Sequence, residues 1–134
     1  MASVGTHKQP AAARKAEQKS AIRAELSTYN QSPRKVRLVT DLVKGKRVAD
    51  AIVALTFLPK RAGLPIKKLI ESAAASAKSQ GKDMESLRVA DIRVDSAGML
   101  VRAMPRAMGR SAPIRRRRSR VIVRLSSTDS APAA

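Results

Sequence analysis

Between residues 101 and 124 the chain carries nine arginines and no acidic residue. The run lies within SAGMLVRAMPRAMGRSAPIRRRRS, residues 96–119, which is too long for a tight turn and holds only scattered apolar side chains. On both sides of it the sequence alternates. Leu87 and Val89, then Ile92 and Val94, precede it, and Val121, Val123 and Leu125 follow it, with the two-residue period of half-buried strands. The simplest path between the two strands is a pair of extended arms meeting near Pro105 to Gly109, where Pro and Gly can turn the chain. Arms of about eight residues would carry such a hairpin roughly 25 Å past any core. An isolated two-stranded ribbon is marginal in water, so this one is expected to be mobile until something anionic encloses it.

The charge extends beyond the hairpin. Twenty-eight Lys and Arg stand against ten Asp and Glu in 134 residues, a net charge of +18, and half of that excess falls in residues 101–124. Those nine cations are all arginine, which suits bidentate phosphate contacts better than mere solubility. A small chain this basic repels itself unless a polyanion neutralises it, so the readings are nucleic acid first and an anionic membrane surface second. Tyr29 and Phe57 are the only aromatics, which argues against stacking successive bases on aromatic platforms. There is no cysteine and one histidine, His7, so neither a disulfide framework, a thiolate nucleophile nor a Cys/His zinc site can be built. No P-loop, Gly-rich nucleotide fingerprint or Gly-x-Ser-x-Gly elbow is present, and no stretch of apolar residues is long enough to span a bilayer. The expectation is a non-enzyme with no cofactor, no metal and no small-molecule substrate.

At this length one domain is expected. Residues 1–20 read as a disordered basic tail, with an organellar transit peptide as the rival. Residues 21–126 read as one folded unit that binds a polyanion and includes the hairpin 96–119, and residues 127–134 as a flexible tail. In the folded unit, Ile22, Ala24, Leu26 and Thr28 alternate with polar positions and predict a strand over 21–29. Ser32 and Pro33 form an N-cap and N1 pair. Val36, Val39 and Val43, with Leu38 and Leu42, extend from that pair a helical stripe over 33–44 that stops at Gly45. Val48, Ala51, Ile52 and Leu55 predict a short helix over 48–57, before Pro59. Ile66, Leu69, Ile70, Ala73, Ala74 and Ala77 predict another over 64–80, with small residues permitting close approach. The phase slip between Val89 and Ile92 predicts a bulge near Ala90 or Asp91 in a strand over 86–96.

Three groups of residues could carry binding. Ser32, Arg34, Lys35 and Arg37 put cations in a helix first turn, where they oppose the dipole; they either serve an anion at the helix start or form a capped, solvated basic turn. Lys44, Lys46 and Arg47 are carried as candidate nucleic-acid contacts, although cations at a helix C-terminus are ordinary stabilisers. Arg115, Arg116, Arg117, Arg118 and Arg120 put five cations in six positions beside a strand, favouring phosphate contact over a solvated run or a nuclear-localisation tract. Met99, Met104 and Met108 are either flexible apolar contacts for a partner or gap fillers.

Four segments in order, SPRKVRLVTDLVKGK (32–46), FLPKRAG (57–63), LIESAAASAK (69–78) and LRVADIRVDSAGMLVRAMPRAMGRSAPIRRRRS (87–119), closely resemble the bacterial-type large ribosomal subunit protein L twenty-two family. The resemblance covers about residues 20–126. It implies an α+β fold, a small three-stranded antiparallel sheet packed by three helices, with a long protruding hairpin that runs through ribosomal RNA to the wall of the nascent-peptide exit tunnel. It places Ser32, Arg34, Lys35 and Arg37 at an RNA-facing helix start. Arg102, Arg106 and Arg110 fall at the hairpin's basic positions, and Arg115 to Arg118 on the returning arm. Met104, Pro105, Arg106, Ala107, Met108, Gly109 and Arg110 become the tip that borders the tunnel. Ser76 stands where the family usually has Asn, and Arg120 where it commonly has His. The implied partners are large-subunit ribosomal RNA, neighbouring large-subunit ribosomal proteins and the nascent peptide. The implied location is the ribosome, in the cytoplasm or in an organelle. The alternative kept open is an architectural DNA binder whose ribbon enters a groove.

Overall fold

The structure is a computed structural model and describes residues 22–127. The basic tail read over 1–20 and residues 128–134 of the C-terminal tail lie outside the described residues. Strand β1 spans Ile22–Tyr29, and helices α1 (Pro33–Val43), α2 (Val48–Thr56) and α3 (Gly63–Ser79) follow. Two long strands complete the described residues, β2 (Leu87–Pro105) and β3 (Ser111–Ser127), joined by a single 3₁₀ turn, Ala107–Gly109. The three strands form an antiparallel sheet in the order β1-β3-β2, so the last strand is central. The fold is α+β, with the helices on one face of the sheet. Among the described residues no helix is long and apolar enough to cross a membrane.

Alternation decides which side of the sheet is buried. Ile22 and Ala24 of β1, Leu87, Val89, Ile92 and Val94 of β2, and Val121, Val123 and Leu125 of β3 all turn to the helices and are buried. The slip in phase between Val89 and Ile92 is a bulge, with the pairing to β3 shifting between Val89 and Asp91. Val36, Val39 and Val43 of α1 close the core with Val48, Ala51 and Leu55 of α2 and the Ile66 to Ala77 stripe of α3.

Two expectations are corrected. Leu38 and Leu42, expected in the apolar stripe of α1, lie on its outer side, 63% and 49% exposed, because Thr40 turns inward in their stead and bonds the Arg37 carbonyl. Thr28, expected inward, is exposed, since the β1–β3 pairing shifts between Leu26 and Tyr29 and turns Tyr29 toward the core instead.

The hairpin is not an insertion between two strands but their continuation, β2 and β3 running 19 and 17 residues through the body and out beyond it. Pairing runs from Met99 opposite Arg117 to Pro105 opposite Ser111. No residue from 97 to 118 is buried. The arms therefore have no core of their own.

Candidate nucleic-acid interface

Where the hairpin leaves the body, all three strands lose register around one residue. Ser119 of β3 pairs with Tyr29 on one side and Ser96 on the other, and both neighbours bulge there. On β2 the shift leaves Ala97 and Gly98 unpaired between Ser96 and Met99, and Gly98 takes φ +89°, a left-handed conformation that an L side chain rarely adopts. The bulge re-aims the strand pair. It also sets the arginine arm beside the start of α1.

Two clefts result. One, of about 720 Å³, lies between the β1–α1 turn and the returning arm, and has Gln31, Ser32, Lys35, Arg61 and Arg115 to Arg118 on its walls. The other, of about 600 Å³, is formed by Ser32, Arg34 and Arg37 against Gly98, Met99, Arg115 and Arg117. No carboxylate lines either cleft. Ser32 belongs to both, at the N-cap of α1 with extended backbone, and its hydroxyl makes no capping bond. The first turn of α1 contains no acid, and since Pro33 has no N–H and the Lys35 N–H donates to the Ser32 carbonyl at 3.1 Å, it is chiefly the helix dipole that faces the clefts uncompensated. Arg37 has a second duty: its Nη2 donates to the Val94 carbonyl at 3.0 Å and ties α1 to β2.

Along the arms the cross-strand pairs keep like charges apart. Met99 faces Arg117, Leu100 faces Arg116, Val101 faces Arg115, and Arg102 faces Ile114, so each arginine stem lies against an apolar neighbour. The guanidinium groups are left to solvent and to whatever approaches. At the tip the Arg106 N–H donates to the Arg110 carbonyl at 2.7 Å, with Met108 and Gly109 both left-handed at φ 58° and 66°. Met108 is 94% exposed.

The structure thus brings together Ser32, Arg34, Lys35, Arg37 and Arg115 to Arg118, and carries Arg102, Arg106 and Arg110 outward on the ribbon. It does not bring the other candidates to the clefts. Lys44, Lys46 and Arg47 lie beyond the far end of α1, roughly 16 Å along an eleven-residue helix. Lys44 there pairs with Asp91 at 3.0 Å, the Lys46 carbonyl accepts the Val89 N–H, and Arg47 bridges to Arg88. Arg120 lies on the opposite face of the sheet, where it donates to Glu25 Oε1 at 2.6 Å. That hydrogen bond, with a second from Arg23, holds the Glu25 carboxyl below its ordinary value, and the Glu25 carboxylate in turn raises the Arg120 guanidinium. Among the cleft residues that the sequence reading passed over are Asn30, Gln31, Arg61, Ser96 and Leu100. Arg61 is fixed there because its carbonyl accepts a hydrogen bond from the Tyr29 hydroxyl at 3.3 Å; the Lys60-Arg61 pair in FLPKRAG was its signal.

Comparison with known sequences agrees with this architecture. Residues 24–126 match the family described as ribosomal protein L22p/L17e. The chain belongs to that family. Among its relatives, the large ribosomal subunit protein uL22 of Pelobacter propionicus is 44% identical over 104 residues, which is 77% of this chain and 94% of the relative. The protein of the same name from Lactobacillus delbrueckii subsp. bulgaricus is 44% identical over 113 residues, covering 83% and 96%. That of Desulfitobacterium hafniense is 47% identical over 93 residues, covering 69% and 82%. The matched segment of this L22p/L17e family member contains both clefts and the whole hairpin.

Proposed function

We propose that this chain is a structural, non-catalytic constituent of the large ribosomal subunit, bound in the cytoplasm to large-subunit ribosomal RNA through the two clefts and the arginine arm. The observation that carries the reading is the meeting of the α1 N-terminus with Arg115 to Arg118, in clefts without a carboxylate, at the root of a ribbon that has no buried side chain. Such a surface neutralises crowded phosphates and fixes register on the RNA. Recognition is by backbone and shape, since A-form RNA hides its base edges in a deep major groove and aromatic platforms are absent from the clefts. The ribbon gains its order from the RNA around it and presents Met104 to Arg110 to the nascent-peptide exit tunnel and the peptide within. Neighbouring large-subunit ribosomal proteins complete its surroundings.

The test is the salt dependence of binding to a large-subunit ribosomal RNA transcript. Replacing Arg115, Arg116, Arg117 and Arg118 together by Ala should weaken binding and flatten the log–log slope by roughly 0.7 to 0.9 for each phosphate no longer neutralised. An unchanged slope contradicts phosphate binding there.

A further inference from the structure

Among the described residues, no element lies over the face of the sheet turned away from the helices. Arg120, Ile122 and Arg124 of β3 point there, with Arg23 and Glu25 of β1 and Arg93 and Asp95 of β2. Arg23, Arg93 and Arg124 close around Ile122 in a depression of about 280 Å³, with Asp91 also on its wall. Pairing places Arg124 of the central strand directly opposite Arg23 on one side and Asp91 on the other, so that one like and one opposite charge flank it.

The carboxylates nearby are already committed. Glu25 holds Arg23 at 2.8 Å and Arg120 at 2.6 Å, Asp95 holds Arg93 at 2.8 Å, and Asp91 is held by Lys44 at 3.0 Å. Arg124 makes no ion pair among the described residues. Arg23 and Arg93 are thus held in place by their own partners, while Arg124, which lies across from Arg23 and Asp91, is left without a salt bridge among the described residues.

We infer that this depression is a second phosphate site, in which Arg124, with Arg23 and Arg93 on the same wall, takes a backbone phosphate of RNA on the face of the sheet opposite the helices. The inference rests on the reading of the chain as a ribosomal RNA binder and adds a surface that the hairpin and its clefts do not include. Three planar guanidinium forks around Ile122, with the Asp91 carboxylate on the wall engaged by Lys44, suit an anion whose two free oxygens can be spanned by one bidentate fork. Arg117 and Arg124 are seven positions apart on one strand, roughly 23 Å, so the two surfaces meet well-separated parts of the RNA.

The test uses the full chain and a protein-free large-subunit ribosomal RNA transcript, titrated over a salt series. Because Arg124 has no ion-pair partner, Arg124→Ala leaves no carboxylate unpaired. It should flatten the slope by roughly 0.7 to 0.9, whereas Arg124→Lys should keep the slope and lose only part of the affinity. Phenylglyoxal modification of the unsubstituted protein gives a reading that does not depend on how any variant folds: bound transcript should protect Arg124. Wild-type slope for Arg124→Ala, or an unprotected Arg124, overturns the site, and if the Arg115 to Arg118 variant is still impaired the RNA reading stands without it. Unchanged binding by both variants overturns the RNA reading itself. Normal binding of Arg124→Ala to the transcript, with loss of that variant from assembled subunits, would assign the face to an acidic protein neighbour and overturn the phosphate site.

Discussion

Gly98 and Glu25 do different work within a few residues of the same junction. Gly98 sits in the bulge that swings β2 out of the body, at φ +89° with open space where a Cβ would stand, so the cost of a side chain there is conformational and not steric. Gly98→Ala should therefore destabilise the junction by about 1–2 kcal/mol, visible as weaker amide protection in residues 96–100 while the core helices are unaffected. Equal loss of protection across the core would contradict the local role. Glu25 takes its partners from two strands, Arg120 first and then Arg23, and both lower its pKa. A carboxyl depressed in the folded state contributes stability that is present above its ordinary value near 4.5 and is lost as pH falls through the lower folded value. Glu25→Gln should accordingly lower the denaturation midpoint at pH 7, with the difference from wild type closing as the pH is taken below 4.5. A gap of constant size down to the acid limit would show that the pair contributes through packing instead of charge.

At the scale of the element, strand and helix existence followed from period. The stripe Ile66 to Ala77 and the alternation of Val121, Val123 and Leu125 both have the burial their spacing implies, and the slip at Ala90 marks a real bulge. The second bulge at Gly98 was not legible, because a bulge outside the core leaves no apolar phase to slip. For the same reason the sequence suggested a strand over 86–96 followed by a hairpin, where the molecule has one unbroken β2 to Pro105. The clefts were half legible: the cations of α1 and those of the arm could each be named, but their meeting depends on a register that only tertiary pairing sets. The same limit hid Arg61, which is placed by Tyr29 from another element, and hid that Lys44, Lys46, Arg47 and Arg120 lie away from the clefts. The hairpin's independence of the core makes a sharp prediction. Replacing Met104 to Arg110 by a two-residue Asn-Gly turn should leave the thermal transition of the body within a few degrees, since nothing removed is buried. Loss of that transition would mean that the ribbon and body fold as one unit.

Over the whole molecule, apolar burial and positive charge are divided between two ends of the same pair of strands. One end of β2 and β3 carries the core; the other carries arginines with no carboxylate near them. The core end is able to fold by burial alone, while the arginine end gains from the approach of a polyanion. A net charge of +18 supplies long-range attraction, and the clefts at the junction supply the fixed binding points. Whether this junction and its ribbon lie against large-subunit ribosomal RNA is tested most directly by crosslinking in living cells, with sequencing of the bound nucleic acid and mass spectrometry of the crosslinked peptides. The expected result is reads concentrated at a few fixed sites in large-subunit ribosomal RNA, with crosslinks in the Ser32 to Arg37 turn and the 99–118 ribbon. Reads scattered over DNA or unrelated RNA, with crosslinks spread evenly over the basic surface, would contradict it.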